Sequence, residues 1–90
     1  MKFETKLYQT SGVNAASEAD SVFAGEIQTA INKYFAGDWG DTCESDKKCN
    51  NQALKNGARI VAKYKTTKGE VLIITEVNRA ITTILFAREY

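Results

Sequence analysis

Four consecutive residues, Val71-Leu72-Ile73-Ile74, are apolar whichever way their side chains alternate. A strand that is apolar on both faces belongs inside a sheet, with strands on either side of it. The flanking sequence supplies them. Across Ala58–Lys65 the residues alternate, Ile60, Ala62 and Tyr64 on one face and Arg59, Lys63 and Lys65 on the other. Thr66-Thr67-Lys68-Gly69 reads as a hairpin loop with glycine for a positive φ. Val77-Asn78-Arg79-Ala80 makes a second turn, and Ile81-Thr82-Thr83-Ile84-Leu85-Phe86 is a final strand of β-branched and aromatic residues.

The first half of the chain has a different period. Residues 2–9 alternate weakly, Phe3 and Leu7 against Lys2, Glu4 and Lys6, before a break at Ser11-Gly12. From about Ser17 to Phe35, apolar residues Phe23, Ile27, Ala30, Ile31, Tyr34 and Phe35 recur at helical spacing. Ser17, with Asp20 three residues on, caps the start of this long amphipathic helix. Gly25 lies mid-helix, at a cost of about 0.5–1 kcal/mol relative to alanine, and reads as a close approach to a neighbour. Gly37-Asp38-Trp39-Gly40 ends the helix, with Gly37 in the left-handed position. Asp41 or Thr42 caps a second, polar helix to about Lys55, which Asn56-Gly57 stops. The order is β-α-α-β-β-β. It predicts an α+β domain: an antiparallel sheet of three to four strands, the N-terminal one on an edge, with the long helix on the apolar face.

Ninety residues suit one such domain, and 43% apolar with 26% charged residues is ordinary for a globular chain. Twelve basic and eleven acidic residues leave a net charge of +1, against the clear basic excess of a dedicated nucleic-acid binder. Met1-Lys2-Phe3 opens no signal peptide, and no apolar run approaches the roughly 18–20 residues of a membrane span. A cytosolic location follows as the expectation, with Cys43 and Cys49 reduced, half-buried and too few to hold a metal.

The chain has no histidine, so no Ser-His or Cys-His pair and no imidazole ligand. It has no phosphate-binding glycine loop. Glu70 and Glu76, near Lys63 and Lys68, are the one carboxylate pairing to weigh, and they read as solvated hairpin ends. The expectation is a protein that binds a partner, without cofactor or metal, rather than an enzyme.

Charge is segregated along the chain. Asp38, Asp41, Glu44 and Asp46 come without a base, and seven bases from Lys47 to Lys68 come without an acid. Acids in a helix's first turn complement its dipole, which accounts for Asp41 and Glu44 better than for Asp38. Trp39, the only tryptophan, is either a lid on the core or an interface anchor. The acidic turn with Trp39 is the first candidate for partner binding, and Glu76 with Arg79 in the second hairpin turn is the next. Arg59, Lys63 and Lys65 carry the alternative, a nucleic-acid contact on the strand face.

Several segments together resemble one group of proteins. They are Leu7-Tyr8-Gln9-Thr10, Gly37-Asp38-Trp39-Gly40, Asp46-Lys47 to Asn50, Arg59-Ile60, Ile74-Thr75-Glu76, Arg79, Thr82-Thr83-Ile84-Leu85-Phe86 and Glu89-Tyr90. The group comprises small accessory proteins encoded on plasmids, prophages and conjugative elements of Gram-positive bacteria. The chain departs from its pattern at Asn78, where aspartate usually precedes the arginine, and at Ala87, where proline is usual. No active site carries over. The resemblance implies a context: small proteins of mobile elements commonly antagonise host defences, as anti-CRISPR and antirestriction proteins do, by binding an effector and occluding its site.

Overall fold

The computed structural model describes residues 3–90, so Lys2 of the first strand pattern lies outside the described residues. The elements in order are β1 (Lys6–Gln9), α1 (Ser11–Ala19), α2 (Ser21–Phe35), α3 (Glu44–Asn56), β2 (Ile60–Thr66), β3 (Gly69–Thr75), β4 (Ile81–Phe86) and a terminal 3-10 turn, Ala87–Glu89. The α+β class holds. The sheet runs β1-β4-β3-β2, with the doubly apolar β3 inside it and β2, β3 and β4 forming the antiparallel meander. β1 takes an edge, as its pattern suggested, but it pairs parallel to β4, so the sheet is mixed. Parallel neighbours need a long connection, and here it runs through the three helices, β2 and β3.

The long helix is in fact two. Thr10 is extended, and its Oγ1 accepts from Val13 N at 3.2 Å, so Ser11-Gly12 begins a helix instead of breaking the chain. Glycine at position 12 leaves room for the Glu89 carboxylate, which a Cβ there would approach to 2.7 Å and push aside. Asp20 is extended (φ −143°, ψ 107°) and interrupts the helical run. Its carboxylate accepts from Val22 N at 2.9 Å and Phe23 N at 3.2 Å, which makes Asp20 the cap of α2. Those bonds, led by the one from Phe23, hold its pKa below the usual carboxylate value. Ser17, expected to cap, lies inside α1 with its hydroxyl buried and unbonded. The bend lets Val13 of α1 and Phe23 of α2 both reach the core. Further on, Gly37 (φ 81°) and Gly57 (φ 80°) take the left-handed positions that end α2 and α3.

One face of the sheet makes the core. From the strands it draws Ile60, Ala62, Tyr64, Val71, Ile73, Ile84 and Phe86, all of one parity in the observed register. Val13, Phe23, Ile27, Ala30 and Tyr34 cover them from α1 and α2, and Ala53 joins from α3. Phe23 stacks on Phe86 with ring centroids 5.6 Å apart. The Tyr34 hydroxyl, its pKa pushed up to about 12 by burial, bonds Thr75 Oγ1 at 2.5 Å. Thr75 bonds Thr82 at 2.7 Å, and Thr82 bonds Thr5 at 2.9 Å. Each hydroxyl in this row is thereby satisfied inside the protein.

Gly25 is not a point of close approach. A Cβ there would meet nothing within 4 Å, and its φ is not positive. Gly25→Ala is therefore expected to stabilise the protein by about 0.5–1 kcal/mol. The check is thermal unfolding, where 1 kcal/mol in a domain of this size moves Tm by about 4–8 °C.

Candidate functional site

The acidic turn lies along the outer edge of β2, and there most of its side chains are used internally. Asp41 N donates to Lys63 O at 2.9 Å, and Asp41 Oδ2 accepts from Lys65 N at 2.8 Å. Thr42 Oγ1 accepts from Lys63 N at 2.8 Å. Nearly two turns into α3, the Asn50 amide accepts from Val61 N at 3.3 Å and donates to Val61 O at 2.9 Å. A strand edge presents alternate residues outward, and the outward groups of Val61, Lys63 and Lys65 are met in turn. This corrects the cap assignment: Asp41 and Thr42 serve the strand, and the N-cap of α3 is Cys43, which makes no side-chain cap bond.

Asp38 stays exposed but bonds within its own turn, and of the two alternatives for Trp39 the structure shows the lid. Asp38 Oδ1 accepts from Gly40 N at 3.0 Å, and its carbonyl accepts from the Tyr64 hydroxyl at 2.7 Å. Trp39 is 3% exposed, edge-on to Tyr34 with centroids 5.5 Å apart, and its Nε1 donates to Asn51 Oδ1 at 2.8 Å. It is the lid on the core, and it has no face left for a partner. Glu44 and Asp46 remain exposed in the first turn of α3.

In the second hairpin turn, Arg79 has φ 63°, the only non-glycine positive φ among the described residues. The guanidinium is occupied. Its Nη2 donates to Ala53 O and its Nη1 to Ala58 O, each at 2.7 Å, closing the C-terminal end of α3. The expected Glu76–Arg79 side-chain pair does not form; Glu76 pairs with Arg59 at 3.3 Å. Glu70 pairs with Lys63 at 3.8 Å, at the opposite end of β3 from Glu76, so the two carboxylates do not converge. Among the described residues no three Cys, Asp or Glu side chains are placed to hold a metal ion. Cys43 and Cys49 are exposed rather than half-buried.

What the sequence reading missed is the outer face of the sheet. By register it carries Val61, Lys63 and Lys65 of β2, Glu70, Leu72 and Ile74 of β3, Ile81, Thr83 and Leu85 of β4, and Lys6 and Tyr8 of β1. The core cluster takes no member from it. Tyr8 is 49% and Ile81 43% exposed, and Val61, Leu72 and Thr83 are half-buried. The start of α3 overhangs this face, leaving a groove of about 260 Å³ lined by Cys43, Asp46, Val61, Lys63, Glu70 and Leu72. Here the acidic and basic candidates meet. Arg59 is tied to Glu76 and, at 2.7 Å, to the Tyr90 hydroxyl, and Lys63 to Glu70, which leaves Lys65 without an ion pair among the described residues. The signal was present in the doubly apolar β3, whose second face had to lie against something or remain open.

A second, larger cleft of about 470 Å³ lies on the helix side, between Gly25, Glu26 and Lys33 of α2 and Asp41, Tyr64 and Lys65. Its carboxylates are already engaged: Glu26 accepts from Thr67 N and Oγ1, and Asp41 from Lys65 N. No helix among the described residues is long and apolar enough to cross a membrane. Compared with known proteins, the chain matches no family model, no curated protein and no solved structure.

Proposed function

We propose that the protein acts by binding another protein through the outer face of its sheet, and that it inhibits a bacterial defence nuclease by occlusion. One observation carries the mode of action: Tyr8, Val61, Leu72 and Ile81, exposed or half-buried around the buried Ile74 and Leu85, form an apolar patch that reaches the β1 edge and is flanked by charge elsewhere. Protein interfaces have that anatomy, a water-excluding core within a polar border. The rim includes the Arg59–Glu76 and Lys63–Glu70 pairs and, at the groove, Asp46. The class of target rests on the resemblance to accessory proteins of mobile elements. The alternative, a nucleic-acid contact through Arg59, Lys63 and Lys65, is weakened because two of the three cations already face carboxylates, and phosphate binding draws on unpaired charge.

The test is inhibition of defence in a host that restricts plasmid entry. Wild-type protein is expected to restore plasmid uptake, and Leu72→Lys combined with Ile81→Glu to abolish that effect while unfolding at the wild-type urea midpoint. A folded double variant that still inhibits would remove the outer face from the mechanism. Binding of free DNA or RNA that weakens steeply with salt and is lost on Lys65→Glu would favour the alternative.

A further inference from the structure

The two edges of the sheet are finished differently. Along β2, side chains of Asp41, Thr42 and Asn50 meet the outward backbone groups one after another. Along β1 nothing comparable occurs. Lys6 N donates to Ala80 O at 2.9 Å and Thr10 N to Ile84 O at 3.0 Å, which fixes the phase of the parallel ladder to β4. Alternate residues then point outward, so Leu7 and Gln9 present their N–H and C=O away from the sheet. No hydrogen bond among the described residues uses them. All four residues of β1 are exposed, Leu7 by 43%. A row of unpaired amides beside apolar side chains is a template for another strand.

We propose that this edge pairs with β1 of a second copy of the chain, antiparallel about a two-fold axis at Leu7, joining two sheets into one. The side chains favour a second copy because the strand complements itself. Pairing about Leu7 exchanges amide bonds between the two Leu7 backbones and sets Leu7 beside Leu7. It places Lys6 of each copy across from Tyr8 of the other on the outer face, a cation beside an aromatic ring. The register centred on Lys6 would instead set like charges directly opposite. Such an interface is isologous, with the same patch on both sides. A strand of four residues buries little, so the dimer is weak and concentration-dependent. This inference shares Tyr8 with the face assigned to the partner, but it concerns the backbone edge of β1 and has a separate readout, so either can fail without the other.

The experiment is sedimentation velocity from roughly 10 µM to 1 mM, the span in which a contact of this strength dissociates. Wild type is expected to pass from monomer to dimer across it. Leu7→Pro removes only an outward N–H, which an edge strand tolerates, and leaves the donors to β4 in place. It is expected to raise the dimer Kd by about tenfold or more with no change in urea midpoint at low concentration. If Leu7→Pro does not fold, Gln9→Pro makes the same test one outward amide further on. In a Cys43→Ser, Cys49→Ser background, Leu7→Cys is expected to form a symmetric disulfide on oxidation, because directly opposed residues lie about 5.5 Å apart at Cα. A wild type that stays monomeric throughout overturns the proposal, as does a dimer that survives both proline variants.

Discussion

Trp39→Ala is expected to destabilise the protein by about 3–5 kcal/mol, the usual cost of emptying a buried aromatic site. A domain of this size has about 5–13 kcal/mol in total, so the variant sits near the limit of folding. The indole is 3% exposed, stands edge-on to Tyr34 and spends its one donor on Asn51. The residue also belongs to the turn that carries Asp41 and Thr42 to the edge of β2, its carbonyl accepting from Thr42 Oγ1 at 2.6 Å. Trp39→Phe retains part of the ring contact and strands no buried group, since Asn51 is exposed, so it is expected to cost less than half as much. Urea unfolding separates these outcomes. An alanine variant with a wild-type midpoint and impaired partner binding would return Trp39 to the contact surface.

The second large effect is expected at Asn50. Asn50→Leu keeps the side-chain volume but leaves Val61 N–H and C=O without partners at a site that is 3% exposed. Two unsatisfied backbone groups put the loss at about 2–4 kcal/mol. The edge it uncovers is also a pairing surface, so aggregation near the unfolding midpoint is expected to rise with concentration. Asn50→Asp gives a sharper control. Its carboxylate can still accept from Val61 N–H, but the second oxygen faces the Val61 carbonyl and needs a proton to bond it. Its folded-state pKa is thereby raised above the unfolded value of about 3.9. The protonated form's contribution is complete below that value and is lost as pH rises through the folded pKa. Asn50→Asp is thus expected to regain stability as pH falls toward about 4, whereas Asn50→Leu is not. Equal pH profiles for the two variants would show that the amide does not bridge the strand edge.

The legible parts of this fold were those with a local cause. β3 announced itself by being apolar on both faces, the first hairpin by Gly69, the second by the polar break at Val77-Asn78-Arg79-Ala80, and the ends of α2 and α3 by Gly37 and Gly57. The break at Asp20 was hidden because an aspartate three residues after Ser17 fits a capping pattern as well as it fits a cap in its own right. β1 gave its edge position but not its direction, since four residues say little about which neighbour they join. The acidic turn misled for a definite reason. Asp41 gave no sign of its role because the amide its carboxylate meets, Lys65 N, lies 24 residues on, and the Asp38 carbonyl likewise meets the Tyr64 hydroxyl 26 residues on. The acidic turn lies beside the basic strand, but its bonds there run to backbone groups of Lys63 and Lys65 and not to their ammonium groups. Arg79 was singled out for its neighbourhood, but its contacts with Ala53 and Ala58 join segments that sequence spacing cannot bring together.

The row of hydroxyls from Tyr34 through Thr75 and Thr82 to Thr5 has a dynamic consequence. It links α2, β3 and β4 to the residue just before β1, so the terminal strand is fastened to the deepest part of the molecule. Its inward amides, at Lys6 and Tyr8, should exchange with deuterium as slowly as those of β4. A strand held in this way meets an incoming one already straight, and little chain entropy remains to be lost on contact.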